Sequence, residues 1–326
     1  MKKIPNRQVH LDFHTSEMID QVGSKFSAEE FADTLKNANV EAVTLFTRCH
    51  HGNLYYDSTK YPERIHPHLK VKDMYREQAK ECRKKGIKVY LYTTICWDIR
   101  VAAEHPEWVA IDDYARISRR ETGNIFEDPG FHVDLCINSP YREFCKEQIA
   151  DALENCPVDG VLVDASFVVE CCCPRCRKSM LEKHLNPADP QDRKKHAWQI
   201  YYDFVREMTD YLHEIDSDYD IFFNKGHVGA QDIPVRDCFD YVAVESQPAN
   251  CGYMDFPVSA RYLRTWGVPV VGMTGRFLTG WGDNNSYRNQ AALEYESFSA
   301  LSYGGLCNIG DQLPPSGQLD LSLIHI

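Results

Sequence analysis

The chain has 326 residues, a formal net charge of −12, 43% hydrophobic residues and 26% charged residues. This composition is ordinary for a globular protein and excludes a disordered or fibrous chain. The negative charge disfavours nucleic acid and anionic membranes as partners, and no apolar run approaches the ~20 residues of a membrane-spanning helix. Residues 1–7 are basic but lack the apolar core of a signal peptide. With an odd number of cysteines, 13, we expect reduced thiols in a cytoplasmic protein.

Segments typical of strands and helices alternate along the chain. The predicted strands are Val9–Phe13, Val40–Phe46, Ile87–Thr94, Gly160–Val163, Asp220–Phe223, Tyr241–Val244, Val268–Gly272 and Leu306–Ile309. The predicted helices begin at the Ser27–Glu30 capping box and at Ser139-Pro140, and cover Asp73–Lys85, His196–Ile215, Val258–Trp266 and Asn289–Tyr303. This alternation predicts an α/β fold, a parallel (β/α)8 TIM barrel. An open doubly wound sheet is the alternative, but no glycine-rich phosphate loop follows the first strand.

The end of the chain carries its own expectations. We assign residues 1–320 to one catalytic barrel and residues 321–326 to a tail that resembles non-native sequence, with an ordinary tail as the alternative. The chain stops where the eighth helix is expected. We therefore expect a fragment whose last helix is missing and whose first and eighth strands are partly uncovered.

Polar side chains follow all eight predicted strands. In a parallel barrel these strand ends converge on one mouth, where active sites lie. Trp97 and Trp281 are expected to form an apolar wall for sugar rings, whereas Trp266 is expected in the core. We assign to substrate binding the side chains of His10, His14, His50, His51, Trp97, Asp98, Asn224, Arg276, Trp281 and Asp311.

Two carboxylates stand out because each directly follows an apolar strand. Asp164 follows Val161–Val163, and Glu245 follows Tyr241–Val244. Glycoside hydrolysis needs such a pair, one group attacking the anomeric carbon or activating water and the other protonating the leaving oxygen. We predict that they face each other across the mouth. The alternatives are an ion pair with Arg276 or Arg48, and, for Glu245, replacement by Glu294, Glu296 or a loop residue.

The cysteine pattern predicts a metal site. Cys171, Cys173 and Cys176 have C-x-C-x-x-C spacing, and Cys136 lies upstream before a predicted helix. Four thiolates can form a closed tetrahedral zinc site, which would be structural and would hold the long loop after the fourth strand. Free thiols are the alternative. We expect no organic cofactor.

These residues resemble known glycosidases. Residues 133–142 followed by C-x-C-x-x-C resemble the cysteine pattern of zinc-containing, trimeric barrel β-galactosidases. Arg48–Gly52, with Tyr90–Tyr92 and Trp97-Asp98, resembles the second and third strands of α-L-fucosidases, in which a His-His-Gly segment contacts the sugar. Nearly the whole chain is similar to a group of hypothetical glycosyl hydrolases related to both. The later segments that match this group are residues 223–227, 245–248, 272–277 and 308–313.

The resemblance implies a retaining, exo-acting glycosidase that is α-L-fucosidase-like or β-galactosidase-like. It places Asp164 at the fucosidase nucleophile, with Glu245 as the provisional acid/base. The chain departs from the β-galactosidases, which carry an Asn-Glu pair where Asp164-Ala165 stands, and from the fucosidases at Gly52-Asn53. Full-length relatives carry further domains, so a longer parent protein is expected to be a homo-oligomer acting on a carbohydrate.

Two other functions stay open. On a strand, His10, Asp12 and His14 share one face, which suits a metal and, with Asp311, suggests a metal-dependent amidohydrolase. This hypothesis lacks the metal-binding histidine expected where Glu245 stands. The third candidate is an inactive barrel that binds carbohydrate.

Overall fold

The computed structural model describes residues 3–119, 131–154, 156–283 and 286–320. Eight parallel strands form a single sheet in the order β5-β4-β3-β2-β1-β8-β7-β6. They are β1 Arg7–Asp12, β2 Ala42–Phe46, β3 Lys88–Thr94, β4 Gly160–Asp164, β5 Asp220–Phe223, β6 Val242–Glu245, β7 Val270–Gly275 and β8 Leu306–Gln312. The backbone N–H of Asp240 donates to the Ile221 carbonyl over 3.1 Å, which joins β5 to the residues before β6. The nearly closed barrel confirms the predicted fold.

The helices surround this sheet. They are α1 Ala28–Asn37, α2 Met74–Lys84, α3 Ile99–Glu104, α4 Tyr141–Leu153, α5 Pro174–Glu182, α6 Pro190–Ile215, α7 Pro248–Cys251, α8 Asp255–Leu263 and α9 Gln290–Ser302. The Ser27 hydroxyl accepts from the Glu30 N–H over 3.4 Å, as the capping box predicts. A 3₁₀ helix, Ala230–Cys238, connects β5 to β6. Among the described residues, no helix combines the length and apolar character needed to cross a bilayer.

The last two strands extend further than the sequence predicts. Predicted ends at Gly272 and Ile309 become observed ends at Gly275 and Gln312, because β8 pairs with β1 in continuous register up to Asp12 opposite Gln312. Polar residues that the sequence placed beyond the strands, such as Asp311, therefore belong to the strands themselves. Their side-chain direction is set by strand alternation.

The outside of β1 and β8 is only partly covered. Val9 and Ile309 are register partners, and both are half-buried. The segment after β8 returns across the barrel, with the Gly23 N–H donating to the Pro315 carbonyl over 2.8 Å. The predicted tail, residues 321–326, lies outside the described residues.

We expect Gly160→Ala to destabilise the barrel by about 2–3 kcal/mol through steric overlap. A Cβ on Gly160 would overlap the Asp220 carbonyl oxygen of β5 and lie 2.9 Å from the Tyr90 ring. Urea unfolding followed by circular dichroism measures the change. Gly226→Ala is the control, because nothing lies within 4 Å there and only its left-handed backbone is penalised, by about 1 kcal/mol. Equal losses in the two variants would contradict the packing argument.

Candidate active site

One side-chain amide joins the two predicted carboxylates at the mouth of the barrel. Asn224 follows β5, and its Nδ2 donates to Asp164 Oδ1 over 2.8 Å and to Glu245 Oε2 over 3.1 Å. Its own Oδ1 accepts from the Gly226 N–H over 3.1 Å, which fixes the direction of the amide. The two accepting oxygens can be no further apart than the two hydrogen bonds combined, so both carboxyl groups lie in the same part of the mouth.

Asp164 lies among hydrogen-bond donors. The Tyr92 hydroxyl donates to its Oδ2 over 2.6 Å, and His50 Nε2 lies 3.7 Å from the same oxygen. Burial raises the pKa of Asp164, but His50, the Tyr92 hydroxyl and the Ala165 N–H outweigh burial, so the net shift of this pKa is downward. Asp164 is therefore ionised at neutral pH.

Glu245 shows the opposite shift. Burial is the largest cause, the Asp164 charge adds to it, and the Asn224 hydrogen bond opposes it, so that the pKa of Glu245 rises to about 7. Two carboxyl groups in one site with pKa values pushed apart are suited to separate roles, one as a nucleophile or base and one as a proton donor.

The histidines line the β1 and β2 side of the mouth. His10 Nε2 lies 3.1 Å from Asp12 Oδ1, and His14 Nδ1 accepts from the His50 N–H over 3.3 Å. Burial, together with His50 and His51, holds the pKa of His14 well below its usual value. His14 is therefore neutral, and because its Nδ1 accepts, its Nε2 carries the proton and can donate to a hydroxyl group.

This geometry does not favour the amidohydrolase hypothesis. His14 Nδ1 already accepts a backbone hydrogen bond, and its Nε2 lies 3.9 Å from Asp12 Oδ1. Within the described ranges, the only group of three or more potential metal-ligand side chains close enough to share an ion is the cysteine cluster described below.

Arg276 and Asp311 form an ion pair at the ends of β7 and β8. Asp311 is two residues from Ile309 on β8 and so shares its outer face, away from the Gly310 position, which does not fit the substrate-binding role assigned to Asp311 from the sequence. The Arg276 Nε contacts Asp311 Oδ1, and both side chains are largely buried. Burial raises the pKa of Asp311 to about 6, with Arg276 opposing the rise. The alternative in which Arg276 pairs with Glu245 is not what the structure shows. Trp281 lies against the inner face of β8, where its ring meets Gly310 and is 5.5 Å from that of His10.

A group of aromatic rings surrounds Trp97 and forms a wall of the mouth. Its ring centroid lies 5.0 Å from that of His50, 4.2 Å from that of His132 and 4.6 Å from that of Phe167. His51 contacts Phe131 at 4.9 Å on the same side. Both tryptophans predicted to line the cleft therefore lie at the barrel mouth, and Trp266 packs against the core as expected.

Asp98 does not fit the substrate-binding role assigned from the sequence. Its side chain is 0% exposed and accepts from Arg48 Nη1 over 2.7 Å. Its other oxygen accepts from the Val101 N–H over 2.8 Å and caps α3. The same contact shows that Arg48 pairs with Asp98 rather than with Glu245. A strand-end carboxylate can face either the mouth or the surrounding layer, and the sequence does not reveal which.

The substitutes considered for Glu245 lie elsewhere. Glu296 is on α9 and contacts Arg288 and the Thr274 hydroxyl, on the helix-facing side of β7. Glu294 accepts from Gln290 on the surface of the same helix over 2.7 Å. Neither contacts Asp164 or Asn224, so Glu245 remains the partner that the geometry supports.

The four predicted metal ligands converge. Cys136, Cys171, Cys173 and Cys176 are buried, and their sulfurs all lie within 4.8 Å of one another. Cys136 Sγ is 3.5 Å from Cys176 Sγ and 3.9 Å from Cys173 Sγ, which matches the spacing around a tetrahedral zinc with ~2.3 Å bonds. Cys172 is not part of this cluster. The predicted clustering of the four thiols is confirmed.

Sequence reasoning missed several side chains of the site. The sequence pointed to Tyr92 only through a family resemblance. Side chains alternate along β3, so the position of Tyr92 next to Leu91 could have shown that it faces the inside of the barrel. Phe131 and His132 precede the strand-like Val133–Leu135 without any motif. Gly310 accommodates the Trp281 ring, because a Cβ there would overlap that ring.

A parallel barrel with two linked carboxylates at its mouth is an arrangement typical of glycoside hydrolases. Residues 27–165 match a family model described as hypothetical glycosyl hydrolase 6. The α-L-fucosidase isoenzyme 2 from Paenibacillus thiaminolyticus superposes with a TM-score of 0.90 at 32% identity, over 98% of this chain and 48% of that chain. The predicted relationship to hypothetical glycosyl hydrolases and α-L-fucosidases is therefore confirmed.

More distant structures share the fold. A β-galactosidase from Marinomonas ef1 gives a TM-score of 0.68 at 14% identity, over 95% of this chain and 54% of that chain. The PgaB (BpsB) glycoside hydrolase domain from Bordetella bronchiseptica gives 0.65 at 14% identity, over 95% of this chain and 94% of that chain. The chain spans about half the length of the Paenibacillus protein. No curated protein shows a significant sequence match to this chain.

We expect Glu245→Gln to change how stability depends on pH. The folded pKa of Glu245 is about 7, above the ~4.3 of an unfolded chain, so wild-type stability falls as the pH rises between these values. The variant lacks this loss and should gain a few kcal/mol relative to wild type from pH 4.5 to pH 8. Urea unfolding at both pH values measures it. Glu294→Gln, at the helix surface, should show no such gain, and a pH-independent difference for Glu245→Gln would contradict the assignment.

Proposed function

We propose that this chain is the catalytic barrel of a retaining, exo-acting glycoside hydrolase with α-L-fucosidase-like specificity. The observation that carries the proposal is the Asn224 amide donating to both carboxylates, with Asp164 acidic and Glu245 near pKa 7. Because one amide bonds to both side chains, the separation of the Asp164 and Glu245 carboxyl groups is compatible with the ~5–5.5 Å of retaining enzymes. The 32% identical α-L-fucosidase supports fucose as the first sugar to test.

The two carboxyl groups divide the reaction between them. An Asp164 oxygen attacks the anomeric carbon while protonated Glu245 gives its proton to the leaving oxygen, so the glycosidic bond breaks and a glycosyl ester forms. Ionised Glu245 then takes a proton from water, whose oxygen displaces Asp164 and releases the sugar. The hydrogen bonds from Tyr92 and Asn224 stabilise the negative charge on Asp164 in the free enzyme.

The remaining polar groups suit the hydroxyls of a sugar ring. His10, His14 and His50 lie on the β1 and β2 side of the mouth, where His50 Nε2 is 3.7 Å from Asp164 Oδ2. Because Nδ1 of neutral His14 accepts from the His50 backbone N–H, its Nε2 carries the proton and can donate to a hydroxyl group. His51 and Trp281 complete the boundary of the proposed sugar site.

The first test is hydrolysis of a panel of nitrophenyl glycosides that includes the α-L-fucoside and β-D-galactoside. We expect fucoside turnover, with kcat/KM falling above about pH 7 as Glu245 loses its proton.

Asp164→Gly should lower kcat by about three orders of magnitude or more, and azide should restore turnover by forming a glycosyl azide. Asp159→Asn, at the opposite end of β4, is the control and should retain kcat. An active wild type with an Asp164→Gly variant of normal kcat would refute the nucleophile. A folded chain that binds sugars without cleaving them would indicate the inactive carbohydrate-binding barrel.

We also propose that the cysteine cluster holds one structural Zn²⁺. The four thiols are buried at tetrahedral spacing, and Asn138 Nδ2 donates to Cys176 Sγ over 3.5 Å, as groups around metal thiolates commonly do.

Metal analysis of the purified protein tests the zinc site. We expect about one zinc per chain in the wild type and in Cys172→Ser, and a loss of zinc in Cys136→Ser, because a structural site uses all four ligands. Thermal unfolding should show a lower Tm for Cys136→Ser. Full zinc retention by that variant would remove Cys136 from the site.

A further inference from the structure

The two chain segments that carry the cysteines also carry the aromatic wall around Trp97. Cys136 ends a segment that begins with Phe131 and His132, and their rings lie 5.3 Å from that of His50 and 4.2 Å from that of Trp97, respectively. Two hydrogen bonds connect the segment to the residues that follow β3. Trp97 Nε1 donates to Asp134 Oδ1 over 3.1 Å, and the N–H of residue 135 donates to the carbonyl of residue 96 over 2.8 Å.

The second segment approaches Trp97 from the opposite direction. Phe167 lies between β4 and Cys171, and its ring is 4.6 Å from that of Trp97. Its carbonyl accepts from the Cys96 thiol over 3.8 Å. At the far end of this segment, the Cys172 N–H donates to the Ile111 carbonyl over 2.7 Å. Trp97 is therefore enclosed by two segments whose ends meet at the cysteine cluster.

The wall lies next to the carboxylate pair. His50 Nε2 is 3.7 Å from Asp164 Oδ2, while the His50 ring is 5.0 Å from Trp97. One side chain thus separates the proposed nucleophile from the wall. Aromatic faces at this position suit the C–H face of a sugar ring or the flat face of an aryl group.

We propose that the four-cysteine cluster positions a ring-binding subsite made of Trp97, Phe131, His132 and Phe167. The role of this subsite in substrate binding rests on the proposed glycosidase function, whereas its dependence on the cluster does not. Without the cluster, the segments 131–136 and 165–173 lose the connection that joins their ends. Residues of the cluster therefore act as positioning residues, and the rings that they position contact the substrate.

Hydrogen exchange of the whole chain tests the dependence directly. Four samples are compared: zinc-loaded wild type, wild type treated with a chelator, Cys176→Ala, and Cys172→Ala as the matched control. We expect exchange in peptides covering 131–137 and 166–173 to rise about tenfold or more after chelation and in Cys176→Ala, because backbone hydrogen bonds there open locally. Peptides from β1 and β7 should be unchanged, and zinc-loaded Cys172→Ala should match the wild type.

Two results would overturn the proposal: faster exchange confined to residues 171–177, and a uniform rise in exchange across the whole barrel.

Enzyme kinetics supply the second readout. With nitrophenyl α-L-fucoside, Cys176→Ala should raise KM about tenfold while kcat stays within about threefold, since the wall binds but does not react. An unchanged KM would separate the wall from substrate binding. If the wild type cleaves no glycoside, the proposed function fails, and the exchange experiment still decides whether the cluster holds the wall.

Discussion

The buried ion pair between Arg48 and Asp98 is the interaction on which one half of the cleft depends. Both side chains are 0% exposed, and the guanidinium also contacts the Thr94 carbonyl. A charge buried without its partner destabilises a protein by several kcal/mol, so each residue requires the other. Because Arg48 follows β2 and Asp98 follows β3, the pair joins the two loops in one arrangement. His50 lies close to Arg48 in the first loop and Trp97 precedes Asp98 in the second, so the ion pair sets the positions of both rings.

The same pair explains a local sequence feature. Gly52 has a φ of +80°, and a Cβ on it would overlap the Asp98 carboxylate, so this turn requires glycine for both conformation and space. The Ile99 N–H donates to the His50 carbonyl over 3.0 Å, which connects the turn to the start of α3. The His-His-Gly segment therefore combines polar groups for the cleft with a glycine needed for packing beneath it.

Opposite pKa shifts in the carboxylate pair arise from different surroundings at the ends of β4 and β6. Asp164 has the Tyr92 hydroxyl and His50 close to one oxygen, whereas Glu245 has burial and the charge of Asp164 acting on it. The shared Asn224 amide keeps the two groups at a short distance despite their mutual repulsion. A closely spaced pair in a poorly solvated site favours one proton between two carboxyl groups, which is the resting state that the proposed retaining hydrolysis needs.

The sequence by itself determined the barrel and the strand-end location of the site. Apolar strands such as Val161–Val163 alternate with capped helices, and this pattern is local, so it can be read without knowing the partners of each segment. It also indicated Asp164, Glu245 and the four cysteines, because a carboxylate after a buried strand and C-x-C-x-x-C are short-range signals. The match with glycosyl hydrolases and fucosidases agrees with the relationship that the sequence resemblance predicts.

Only the tertiary structure decided which polar residue faces the cleft and which faces the surrounding helices. Asp164 ends β4 and Asp98 lies in the loop after β3, yet the sequence treats both as strand-end carboxylates; one is sealed against Arg48 and the other lies beside Asn224. Side-chain direction alternates along a strand, so a shift of one residue exchanges the two sides, and strand ends predicted to within a few residues cannot resolve it. Phe131 lies near His50 although the two residues are far apart in the chain. Contacts between residues far apart in the chain leave no local pattern, and the folded barrel is what creates them.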